Sequence, residues 1–304
     1  MSHVARSPVR GIVSRSNSLD SLIRIWVRPY IPDCIGLVIL SVAYLFLVRF
    51  IEPFHRMFFI NNINLQYPHA AVERVSVSRN VIYAGLIPLL VLFTWLGVEK
   101  ASLHKLNVTL LGFLISIALA LFITDSVKNA VGRPRPDLIA RCKPAPRTPE
   151  NILVTIDVCT ETDFSMLHDG WRSFPSGHSS FAFSGLGFLS FFLAGQLQVF
   201  RPNKNLLGTL LSIAPIMSAI MIAISRCEDY RHDWYDVISG SIIGISTAFF
   251  SYRRYYPRLQ SRRCEEPFTH KNTRSAEGIR RIKNDEESAR PSRDFRSSDD
   301  EDVK

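Results

Sequence analysis

Charge is what the middle of this 304-residue chain lacks. No Asp, Glu, Lys or Arg occurs in residues 81–98, 106–124, 179–197 or 206–224. A helix of a soluble protein must turn one face to water, so uncharged apolar runs of this length exclude a purely soluble enzyme. The net charge of +9 sits elsewhere. Five Arg lie in the first 33 residues, and 14 Lys/Arg with 11 Asp/Glu lie in the last 52. Basic ends around an apolar middle fit the flanks of a membrane protein and not a stripe that tracks phosphates, so no nucleic-acid partner is expected. No apolar stretch of signal-peptide length precedes Cys34, so no cleavable leader is expected. No internal repeat of fixed period is present.

Six stretches are there instead: about 34–50, 81–98, 106–124, 179–197, 206–224 and 234–252. Each approaches the roughly 20 helical residues that a hydrocarbon layer of about 30 Å requires. The expected fold is all-α, a six-transmembrane helical bundle. Residues 1–33 form a cytoplasmic N-terminal segment, 34–256 the six-span domain and 257–304 a disordered cytoplasmic tail. That tail has few aromatics and ends on Ser297-Ser298-Asp299-Asp300-Glu301-Asp302, too little apolar surface to fold alone. Leu19, Leu22, Ile23, Trp26 and Tyr30 recur at helical spacing opposite Arg24 and Arg28. They predict an interfacial helix over 18–30, with an extension of the first span as the alternative. With both termini inside, the short inner flanks hold fifteen Lys/Arg against twelve outside.

Three polar clusters lie beside span ends. Lys128 to Pro136 follows the third span, Phe174 to Ser180 opens the fourth, and Ser225-Arg226 with His232 and Asp236 joins the fifth to the sixth. Six antiparallel spans bring all three to one face, read here as the extracytoplasmic one. Lys128, Arg135 and Arg226 are three cations there, with only Asp125 and Asp229 as evident acidic neighbours. Such a cluster must be solvated or bind an anion, and Arg presents a fork that matches phosphate oxygens. Ser176 and Gly177 sit at a helix start, where free N–H groups also favour an anion. His232 and Asp236 are four residues apart, so a carboxylate can accept one imidazole N–H and leave the other nitrogen to attack. His178 is a second imidazole, placed to act as general acid. Together they read as a phosphoryl-transfer site without a metal, since the two histidines stand among cations; no cofactor is expected. Singly, each residue has a bland reading: a histidine at a membrane edge is often structural, and Lys/Arg can snorkel to lipid phosphates.

Lys128-x6-Arg135-Pro136, Pro175-Ser176-Gly177-His178 and Ser225-Arg226-x5-His232-x3-Asp236 together resemble the three-part signature of the type 2 phosphatidic acid phosphatase, or lipid phosphate phosphatase, superfamily. The resemblance covers about residues 34–256. Glu52-Pro53-Phe54 and Tyr67-Pro68 resemble its fungal diacylglycerol pyrophosphate phosphatase branch. Asp233 departs from the pattern, since many eukaryotic relatives carry a second His there. The resemblance implies an integral membrane lipid phosphate phosphatase, Mg²⁺-independent, acting on phosphatidic acid, lysophosphatidic acid or diacylglycerol pyrophosphate. His232 would form a phosphohistidine, Asp236 would orient it, and His178 would protonate the leaving alcohol and then activate water. Lys128, Arg135, Arg226, Ser176 and Gly177 would hold the phosphoryl oxygens. The site would face the lumen, vacuole or exterior.

Of five cysteines, Cys142 and Cys159 share the outer loop. On an oxidising side they can pair; two free thiols are the alternative. Asn107-Val108-Thr109 matches a glycosylation sequon but lies at an inner span end, where it is expected to go unused. A lipid phosphotransferase on the same scaffold stays open, as does a homo-oligomer. A channel or transporter would need charges within the spans, and spans two to five have none. Gly185, Gly187, Gly240 and Gly244 instead point to close helix packing.

Overall fold

A computed structural model describes residues 30–202 and 204–268. The chain divides into two compact units, Met1–Pro267 and Phe268–Lys304, and only Phe268 of the second is described. The interfacial helix expected over 18–30 lies outside the described residues except for Tyr30. So does the tail from 269 on, with Ser297 and Ser298.

Each of the six apolar stretches forms a helix. They are α1 (Ile31–Phe50), α2 (Val77–Val98), α3 (Leu103–Val131), α6 (Gly177–Gln196), α7 (Leu206–Glu228) and α8 (Trp234–Tyr255). Two short helices, α4 (Leu138–Cys142) and α5 (Phe164–Asp169), lie between α3 and α6. Among the described residues no β-strand forms; Phe58 with Val154 and Pro144 with Cys159 make isolated bridges.

Local chemistry sets the ends. Ser102 caps α3 by accepting the Lys105 N–H at 3.2 Å, and Asn205 caps α7 by accepting the Gly208 N–H at 3.0 Å. In α2 the chain widens to a π-helical stretch over Ile82–Leu86, just before Pro88, whose ring and missing N–H disrupt the regular ladder. α3 stops at Gly132, which is left-handed at φ 56°. A Cβ there would lie 1.8 Å from the Phe54 carbonyl oxygen, so only glycine fits.

Four of the long helices, α1, α2, α3 and α7, are long and apolar enough to cross a membrane. α6 and α8 match them in length but carry polar side chains, and the bundle covers these. Ser179, Ser180, Ser184 and Ser190 of α6 and Thr247 and Ser251 of α8 are all buried. α6 is enclosed by the other helices, whereas α8 still turns Ile238, Ile242, Phe249 and Phe250 outward. α6 packs chiefly on α8, α7 and α3. The α6–α8 contact depends on Gly240 and Gly244: a Cβ on either would sit 2.4 Å from a carbonyl oxygen of α6, that of Ser176 or Ser180. α1, by contrast, is almost entirely exposed, as an apolar helix at the lipid-facing rim would be.

One end of the bundle holds an apolar core of Phe113, Phe188, Phe192, Tyr252 and Tyr256. There Lys105 is buried, its ammonium donating to Glu99, Gln196 and Glu266. Cys264 is also buried and donates to the Gly195 carbonyl. The packed chain therefore continues to about residue 267, past the boundary at 256 read from the sequence. The opposite end carries a folded cap, which no apolar periodicity in the sequence predicts. Phe58, Leu65, Leu138, Val154 and Trp171 form a second core, with the Trp171 indole N–H donating to the Arg56 carbonyl at 2.9 Å. A disulfide joins Cys142 to Cys159 within it.

Candidate active site

The three polar clusters meet under this cap. A cavity of about 940 Å³ opens between the last turn of α3, the first turn of α6 and the α7–α8 turn. Lys128, Arg135, Gly177, His178 and His232 all line it. Val48, Phe50 and Ile51 at the end of α1 form another wall, and each is substantially exposed. A charged chamber thus borders directly on apolar surface. Asp125, Asp169 and Arg172 also line the cavity, and motif reading left Asp169 and Arg172 out.

The cations have more partners than their neighbours in sequence indicate. Lys128 is buried, and its Nζ donates to the Arg172 carbonyl at 3.1 Å. That ammonium lies 3.8 Å from the position a Cβ on Gly177 would take, so the α6 start and the α3 end face each other. Arg135 donates through Nη2 to Asp169 Oδ1 at 2.7 Å, while its buried Nε has no partner. Arg226 is 1% exposed and does not line the cavity. Its Nη1 donates to Glu73 Oε2 at 3.1 Å and its Nη2 to Asp229 Oδ2 at 2.5 Å. The expectation of cations with few acidic partners is therefore corrected. The 52–76 loop supplies Glu73 and the end of α5 supplies Asp169, and no short-range pattern announces either.

Ser176 also differs from expectation. It is fully buried, and its hydroxyl accepts from the Ser179 N–H and hydroxyl at 3.4 and 3.0 Å. It caps α6 and does not line the cavity. Its backbone N–H donates to the Asp236 carbonyl at 2.9 Å, tying the start of α6 to that of α8.

His232 and Asp236 lie close together, but not on one helix face as their spacing predicts: α8 begins at Trp234 behind its Asp233 cap, so His232 sits in the turn before the helix. His232 Nδ1 is 3.6 Å from Asp236 Oδ2, close enough for charge to act but beyond hydrogen-bond length. Asp236 is fully buried, with its oxygens satisfied elsewhere. Oδ1 accepts from Arg133 Nη1 at 2.7 Å; Oδ2 accepts from the Ser173 hydroxyl at 2.6 Å and the Asp233 N–H at 3.1 Å. Burial pushes the His232 imidazole down to about 4; Arg135 and Lys128 add to the fall, and Asp236 opposes it. At neutral pH it is an uncharged imidazole with a free lone pair. His178 Nε2 is likewise buried without a hydrogen-bond partner. Among the described residues no three His, Cys, Asp or Glu side chains converge to hold a metal ion. The arrangement can bind a phosphoryl group between Lys128, Arg135 and the Gly177 backbone, with one imidazole to attack and one to exchange a proton.

Comparison with known proteins gives a consistent result. The profile of the PAP2 superfamily matches residues 109–260. The chain is 38% identical over 227 residues to "Diacylglycerol pyrophosphate phosphatase 1" of Saccharomyces cerevisiae, covering 73% of this chain and 78% of that protein. It is 38% identical over 228 residues to "Probable diacylglycerol pyrophosphate phosphatase 1" of Schizosaccharomyces pombe, covering 75% and 81%. It is 34% identical over 231 residues to "Lipid phosphate phosphatase 2" of Arabidopsis thaliana, covering 76% and 78%. No solved structure matches.

Proposed function

Because this chain belongs to the PAP2 superfamily, we propose that it is an integral membrane lipid phosphate phosphatase that works through a phosphohistidine and needs no Mg²⁺. Its substrates are phosphatidic acid, diacylglycerol pyrophosphate or lysophosphatidic acid. The observation that carries the reading is the single cavity where His232, His178, Lys128 and Arg135 open beside the exposed apolar end of α1. A phosphate headgroup enters the charged chamber while its acyl chains stay along that helix. The phosphatase relatives, and the lipid phosphates in their names, support this reading.

In the proposed sequence His232 Nε2 attacks phosphorus and the bond to the leaving oxygen breaks. His178 gives that oxygen a proton. Water then attacks the phosphohistidine, His178 takes the water's proton, and the P–N bond breaks to release phosphate. Lys128, Arg135 and the Gly177 N–H hold the equatorial oxygens, with Arg226 and Ser176 supporting them from behind. Asp236 orients His232. All six long helices cross the membrane. Both termini are cytoplasmic, and the cavity faces the lumen of an endomembrane (vacuole, ER or Golgi) or the exterior at the plasma membrane.

The test is release of phosphate from a panel of these lipids by purified protein in EDTA. Turnover that EDTA abolishes and Mg²⁺ restores would overturn the metal-free mechanism. A second phospholipid in place of free phosphate would assign the chain to phosphotransfer instead.

A further inference from the structure

Arg133 belongs to the string Gly132-Arg133-Pro134-Arg135-Pro136, and the mechanism above gives it no task. Its surroundings do. Left-handed Gly132 turns the chain sharply after α3, and the Arg133 side chain crosses to the start of α8. There its guanidinium forks, Nη1 to Asp236 Oδ1 at 2.7 Å and Nη2 to Asp233 Oδ2 at 2.5 Å. It also lies over the Tyr235 ring, 5.7 Å from its centre. The Arg133 carbonyl accepts the Ser173 N–H at 3.1 Å, and the Ser173 hydroxyl donates to Asp236 Oδ2. Arg133 and Ser173 therefore grip the buried carboxylate from both sides. With both oxygens taken, Asp236 cannot rotate, and His232 Nδ1 rests 3.6 Å away.

We infer that Arg133 is a positioning residue: it fixes the Asp236 carboxylate beside the His232 imidazole and divides its own charge between Asp236 and Asp233. The inference rests on the roles given to His232 and Asp236 above. A guanidinium fork holds a carboxylate in one plane, and removing that hold frees both the orientation and the charge of Asp236. The imidazole then feels more of that negative charge. The other charges facing His232 are Lys128 on α3, Arg135 on the turn after it, Asp169 on α5 and His178 on α6. None of these contacts Arg133 directly in the structure, so changing Arg133 leaves them in place.

The measurement is a pH titration of His232 by NMR in ¹⁵N-histidine-labelled protein, using Arg133→Gln, Arg133→Lys, Asp233→Asn and Asp236→Asn. Arg133→Gln should raise the His232 midpoint by about half a pH unit or more. Asp233→Asn should lower it, because Arg133 then bears on Asp236 alone. Arg133→Lys should fall between Arg133→Gln and the parent. With phosphatidic acid at neutral pH, Arg133→Gln should lower kcat/KM by about tenfold through kcat, with KM changed by less than about twofold, and Arg133→Lys should recover part of it. A midpoint that stays put in Arg133→Gln, or moves the same way in Asp233→Asn, would overturn the inference. If Arg133→Gln does not fold, Arg133→Lys and Asp233→Asn carry the same comparison. Full activity in Asp236→Asn would overturn the orienting role of Asp236, while the titration still decides whether Arg133 acts on the imidazole.

Discussion

Glu73 receives the Arg226 guanidinium at 3.1 Å across 153 residues of chain, and its other oxygen receives Arg231 at 2.7 Å. One of the three signature cations is thus fixed from behind by a carboxylate of the cap, with Asp229 completing the hold. Arg226 and Asp229 are both deeply buried, whereas the Glu73 side chain keeps 20% of its exposure.

Removing either carboxylate leaves the buried Arg226 guanidinium with one acidic partner in place of two. Asp229→Asn should therefore cost about 3 kcal/mol of stability, and Glu73→Gln less, because water reaches Glu73. Thermal unfolding in detergent gives the order; Glu73→Gln proving the more damaging would contradict this account of the pair.

The three residues proposed for catalysis should fail in different ways. His232→Ala should form no acid-labile, base-stable phosphoenzyme from ³²P-labelled substrate. Asp236→Asn should slow its formation severely without abolishing it, and His178→Ala should form it from an aryl phosphate and then accumulate it. Label that persists in His232→Ala, or maps to His178, would exchange the two histidines' roles.

Acid should act through His232. Its folded value of about 4 lies below the ordinary 6.5, so protonation favours the unfolded chain. The stability this group contributes is complete above about 6.5 and declines as pH falls towards 4. The acid limb of kcat/KM, corrected for substrate ionisation, should likewise lie well below 6.5. A limb at the ordinary imidazole value would show that His232 is wetter than its burial implies.

Gly132→Ala should be strongly destabilising. The left-handed backbone alone costs about 1–2 kcal/mol, and the new Cβ would collide with the Phe54 carbonyl. Unfolding and phosphate release should both suffer, since the same turn aims Arg133 and Arg135. An alanine variant of parental stability would mean that the 52–76 segment yields readily.

Sidedness is open to direct labelling. In sealed vesicles, thiols freed by reducing the Cys142–Cys159 disulfide should react from the side opposite to the chain after Pro257. Labelling of both from one side would overturn the six-crossing arrangement.

Residue pattern alone sets the helices and where their ends meet. Charge-free runs fix which segments are apolar helices, and an alternating path brings the ends of α3 and α7 to the starts of α6 and α8. The short spacing of His232 and Asp236 likewise keeps the two near each other, although His232 lies in the turn before α8 and only Asp236 on the helix. What those side chains touch depends on long-range packing. Glu73 and Ser173 come from loops and Asp169 from the end of the short helix α5, and nothing local says which cation or carboxylate they will meet. Ser176 has the residue type of a phosphate ligand, yet its hydroxyl caps α6. Asp236 has the spacing of a partner for His232, yet Arg133 and Ser173 hold its oxygens. The cap core around Trp171 was equally hidden, because it is assembled from short pieces joined over long separations and not from a repeating apolar pattern.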